Sequence, residues 1–105
     1  MPQSPDDGLV ISRAAAKQMI QNFQASPIYA DQRIKGGFYG RNKINSLLNQ
    51  TDCVGIRYYY ALSNGKLVIT LVGEDKTGEC LSDTVVIDEG PLCPPWCPGS
   101  NALDA

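Results

Sequence analysis

Residues 53–78, CVGIRYYYALSNGKLVITLVGEDKTG, decide the fold. Two apolar, aromatic and β-branched runs flank Asn64-Gly65, a pair suited to the two positive-φ positions of a type I′ turn, so the stretch predicts a β-hairpin. With those two residues as the loop, Ser63 lies opposite Lys66 and every further pair follows by counting outward. Ile56, Tyr58, Tyr60, Leu62, Leu67, Ile69 and Leu71 then share one face, the expected core face. Arg57, Tyr59, Ala61, Val68, Thr70 and Val72 share the other, a mixed set suited to partial solvation or to a second layer.

On the C-terminal side, Glu74 to Gly78 reads as a second turn, and the β-branched run Thr84-Val85-Val86-Ile87 supplies a third antiparallel strand. On the N-terminal side, Ile44, Leu47 and Leu48 recur at helical spacing and predict a short amphipathic helix over 41–50. Residues 28–40 read as a loop with a short edge strand. Their GGFYG segment, Gly36 to Gly40, lacks both the Walker Lys-Ser/Thr ending and the GxGxxG spacing, so a tight turn is expected there rather than a phosphate cradle. Further upstream, Ser12 is a candidate N-cap. Ala15, Ala16, Met19, Ile20 and Phe23 form one apolar stripe on a helix of about 13–25, with Met19 and Phe23 expected in the core. Ser26-Pro27 ends that helix, because the residue before proline is pushed out of the α region.

The sum is an α+β fold of two layers, an antiparallel three- to four-stranded meander with two helices on one face. A flexible arm over 1–8, a single domain over 9–90 and a proline- and cysteine-rich tail over 91–105 are expected. A chain of 105 residues with 43% hydrophobic and 19% charged residues has the composition of a globular protein. Nine basic against eleven acidic residues leave a net charge of −2, so no global field draws the chain to nucleic acid or anionic lipid. No stretch approaches the roughly 20 apolar residues of a membrane span, and the start, MPQSPDDG, lacks the pattern of a secretory signal. A cytoplasmic protein is expected.

The segments GGFYGRNKINSLLNQTDCVGIRYYYA, LVITLVGEDKTGE and PLCPPWC, in this order and spacing, resemble a family of small uncharacterised bacterial proteins found mainly in Bacteroidota. The carrying residues are Cys53, Gly55, Ile56, Arg57, Tyr59 and Tyr60, then Leu71 to Gly73 with Asp75 and Gly78, and finally Cys93, Pro94, Pro95 and Cys97. Cys80 stands outside the pattern. The resemblance implies a bacterial origin and brings no activity with it.

Four cysteines, Cys53, Cys80, Cys93 and Cys97, are the constellation with the most chemical potential. A zinc site would need all four thiolates to converge, and two of them stand singly with no histidine to substitute. A redox or structural pair between Cys93 and Cys97 would need a turn. In a polyproline II run their Cα atoms would stand about 12 Å apart, beyond disulfide reach. Reduced thiols and no bound cofactor are therefore expected. Trp96, set among prolines, is a candidate contact with the chain's own sheet or with a neighbouring subunit, and docking on its own chain is the default. Arg57 is the most site-like polar residue and shares its face with Tyr59. Together they are candidates for ligand or partner binding, against the simpler expectation of a structural pair between Arg57 and Glu74. With no histidine, the Ser-His and Cys-His nucleophile arrangements are excluded within one chain. The leading expectation is a non-enzymatic interaction or self-assembly module that binds protein, itself included. A small enzyme or ligand binder on the Arg57/Tyr59 face, or a zinc or thiol-redox module, are the alternatives.

Overall fold

The computed structural model describes residues 3–81, 85–88, 90–97 and 103. It is α+β, with three helices and antiparallel sheets of two and three strands. In chain order these are α1 (Arg13–Gln24), α2 (Pro27–Gln32), β1 (Gly36–Gly37), α3 (Arg41–Leu48), β2 (Gly55–Ser63), β3 (Lys66–Glu74), β4 (Val86–Ile87) and β5 (Leu92–Cys93). They fall into two compact units, Met1–Asp7 with Phe38–Gly90, and Gly8–Gly37 with Pro91–Ala105. Helix α1 thus groups with the C-terminal segment, while the N-terminal residues group with the hairpin.

In the first unit the hairpin has the register counted from the sequence, Ser63 opposite Lys66 through to Gly55 opposite Glu74. Asn64 and Gly65 take φ of 53° and 77°, as a type I′ turn requires. Strand β4 pairs on the other side of β3, Leu71 with Ile87 and Val72 with Val86, so the order is β2-β3-β4. Thr84, expected in that strand, lies outside the described residues. The turn after β3 is built on Asp75, whose Oδ1 accepts from the Thr77 N–H at 2.8 Å, the Thr77 hydroxyl at 2.7 Å and the Glu79 N–H at 3.1 Å. The N-terminal residues are anchored here as well, the Gln3 N–H donating to the Lys76 carbonyl at 2.7 Å.

Burial corrects the expected core face. Ile56, Leu67 and Leu71 are half-buried, but Tyr58, Tyr60, Leu62 and Ile69 of the same face are exposed. The buried hairpin side chains Val68, Val72 and Glu74 lie on the opposite face. The reason is length. Helix α3 has eight residues and spans about 12 Å, against about 30 Å for a nine-residue strand, so it covers only the base of its face. There Leu47 is fully buried, Ile87 is buried opposite Leu71, and Gly73 lies beneath the end of the helix. A Cβ on Gly73 would stand 3.4 Å from the Leu47 carbonyl and 3.1 Å from Cys53 Sγ.

In the second unit, Ser12 caps α1 by accepting from the Ala15 N–H at 3.0 Å. Ser26-Pro27 ends that helix and starts another. Ser26 caps α2, Pro27 takes a first-turn position where its missing N–H costs nothing, and Arg33 closes the helix at φ 59°. The loop expected from residue 28 is therefore helical as far as Gln32. Phe23 meets Tyr29 edge-on at 5.9 Å, and the Arg33 guanidinium lies 5.7 Å from the Tyr29 ring centre. Met19, expected in the core, is exposed, since α1 buries none of its residues completely. The short edge strand does form. Gly36 and Gly37 pair with Cys93 and Leu92, and the Lys35 N–H donates to the Cys93 carbonyl at 2.7 Å.

Candidate functional site

Strand β2 is an edge strand of the three-stranded sheet, and it carries the most site-like residues of the chain. Arg57 stands opposite Val72, so Glu74, two residues on, is its diagonal neighbour on the same face. The guanidinium engages both carboxylate oxygens, Nε donating to Oε2 and Nη2 to Oε1 at 2.7 Å. Glu74 is almost wholly buried, with 5% of its side chain accessible, and Arg57 is part exposed. The hydrogen bonds from Arg57 hold the Glu74 carboxyl below the ordinary range, against the opposing push of burial. In return the carboxylate raises the Arg57 pKa further, so the guanidinium keeps its charge.

Tyr59 follows on the same face, and its hydroxyl lies 3.7 Å from the Cys80 thiol. That contact, before any other cause, raises the Tyr59 pKa. The structure thus brings Arg57, Tyr59, Glu74 and Cys80 together at one end of one face. Tyr58 and Tyr60 point the other way and meet edge-on at 5.8 Å. A cleft of about 440 Å³ opens along the first half of β2, walled by Val54 to Tyr58 and Glu74 on one side and by Gln3, Ser4, Pro5 and Asp7 on the other. The contribution of residues 3–7 was not legible from the sequence. Their composition signals an arm, and no periodicity places it against a strand.

Cysteine chemistry departs from the sequence expectation. Cys93 and Cys97 form a disulfide with Cα atoms 4.7 Å apart, whereas Cys53 and Cys80 carry free thiols. The segment is a closed turn, not an extended run, with the Trp96 N–H donating back to the Leu92 carbonyl at 2.9 Å. Two of the four sulfurs are therefore committed to each other. Among the described residues no group of three or more Cys, Asp or Glu side chains is placed to hold a metal. Trp96, expected to dock on its own chain, is largely exposed among the described residues. It projects from the disulfide loop at 72% exposure.

No helix among the described residues is long and apolar enough to cross a membrane. The chain matches no protein-family model, no curated protein and no solved structure.

Proposed function

We propose that this chain is a non-enzymatic protein-interaction module that self-associates through the free edge of β2. One observation carries the reading, a nine-residue edge strand with no proline and a single charge, Arg57, already engaged by Glu74. Natural sheets blunt such edges with lysines, prolines, bulges or a covering element, because unpaired N–H and C=O groups template another strand. Here Tyr58, Tyr59, Tyr60 and Leu62 stand exposed along that edge. Tyrosine supplies large contact area at a small entropic cost, which suits a binding surface.

The ligand-binding alternative has less behind it. Glu74 occupies two nitrogens of the one cation in the cleft, and the acids Asp7 and Glu74 outnumber it. Light scattering over a concentration series tests the reading, for the full chain and for a chain ending at residue 90. A concentration-dependent dimer in both is expected. A monomer at every concentration in both overturns self-association.

A further inference from the structure

The backbone of β2 specifies how a second copy would pair. On β3, the Ile69 carbonyl accepts from the Tyr39 hydroxyl and the Gly73 carbonyl from the Leu81 N–H at 2.8 Å, both on the side away from β2. Odd-numbered residues of β3 therefore direct their backbone groups away from β2 and even-numbered ones toward it. Through the register, Gly55, Arg57, Tyr59, Ala61 and Ser63 bond to β3. The N–H and C=O groups of Ile56, Tyr58, Tyr60 and Leu62 are left directed at the outer edge, where no strand among the described residues pairs with them.

Resting on the self-association reading above, we infer that the partner is a second copy of β2, paired antiparallel with Tyr59 on the two-fold axis. Only a register that sets even residues opposite even residues satisfies the outward groups, and among these the one centred on Tyr59 alone overlaps all nine residues. It sets Tyr58 opposite Tyr60 of the second copy and Ile56 opposite Leu62 of the second copy. Tyr58 and Tyr60 of the two chains then form one cross-strand aromatic ladder on a single face. Arg57 falls opposite Ala61 of the second copy, so the two arginines do not oppose each other. Registers centred on Tyr58 or Tyr60 lose two pairs at the ends. In the full register Tyr60 to Ser63 of each copy lie along Gly55 to Tyr58 of the other, the stretch of β2 that lines the cleft walled by residues 3–7. The cation near the hairpin tip is Lys66 and the cleft presents Asp7, which is complementary in charge.

Cysteine crosslinking in a Cys53→Ser, Cys80→Ser background tests the register, because the added thiol is then the free one. Facing residues at the dyad are a non-hydrogen-bonded pair with Cα atoms about 4.5 Å apart, within disulfide reach. Tyr59→Cys should give a covalent dimer under mild oxidation. Tyr60→Cys should not, because its two copies stand about 8 Å apart, diagonally displaced. Proline at position 60 removes an outward N–H and no bond to β3, so Tyr60→Pro should weaken dimerisation at least about tenfold with circular dichroism unchanged. Should that variant unfold, Tyr60→Lys is read in its place with the same expectation. A wild-type dimer that crosslinks at Tyr60→Cys, or at neither position, overturns the register while self-association stands. A wild-type monomer with no crosslink at either position overturns both.

Discussion

At the residue scale, the Arg57–Glu74 pair makes stability depend on acid in a definite direction. The Glu74 carboxyl titrates lower in the folded protein than in the unfolded chain, where a glutamate titrates near about 4.3. The unfolded state thus takes up the proton first as pH falls. Stability from the pair is fully present above the unfolded value and is lost as pH drops through the folded one. Asp75, held down chiefly by the Thr77 hydroxyl, acts in the same sense. Urea unfolding followed from pH 7 to pH 3 should show Glu74→Gln less stable at neutral pH and with a flatter acid profile than the parent. Parallel profiles would remove Glu74 from the account. Two glycines give a steric counterpart. A Cβ at Gly73 would come 2.6 Å from Gln50 Oε1, the end of a flexible side chain, so Gly73→Ala should cost about 1–3 kcal/mol. At Gly90 the obstacle is the Phe38 backbone carbonyl together with the Tyr39 ring, which cannot swing aside, and Gly90→Ala should cost more. Urea midpoints of the two variants, compared at equal m-value, decide the order.

At the element scale, α3 holds the base of the hairpin through Leu47, the one fully buried side chain among the described residues. Leu47→Ala should cost about 2–5 kcal/mol, read by the same urea unfolding, whereas truncating exposed Leu48 should cost far less. This helix also explains how far the sequence carried. Its position and polarity were legible because Ile44, Leu47 and Leu48 recur at helical spacing. The hairpin register was legible because Asn64-Gly65 fixes it locally, and the Arg57–Glu74 pair follows from that register. Which face would be buried was not legible. Alternation assigns residues to two faces, but the choice between them rests on what covers each, and an eight-residue helix leaves the tyrosine end of its own face open. Ser26-Pro27 was read only as a stop, although serine before proline satisfies the start of a helix equally well. For Cys93 and Cys97, the extended geometry favoured by consecutive prolines put the sulfurs out of reach, and the return of Trp96 to Leu92 reverses that. The place of β2 at an edge of the described sheet was also hidden, since no single strand reveals which of its neighbours it lacks.

At the scale of the whole molecule, the disulfide and the proposed interface fall in different compact units, which separates two ways of assembling. The native chain should titrate two thiols, Cys53 and Cys80, and four after reduction. A bond closing so short a loop stabilises by about 2 kcal/mol through chain entropy, so mild reduction should loosen the unit that holds β1 and β5 and leave the hairpin unit folded. Association through β2 depends on the hairpin unit alone. The dimer constant measured by sedimentation should therefore stay within about twofold on reduction, a difference of under half a kcal/mol. Trp96→Ala should leave it equally unmoved. Association through the tail instead would require Trp96 to be presented by the closed loop, since the loop limits the freedom the ring would lose on binding. Reduction and Trp96→Ala would then both weaken the dimer together. Joint loss would transfer the interface from the tyrosine edge to the disulfide loop, whereas loss on Tyr60→Pro with neither of the others would keep it on β2.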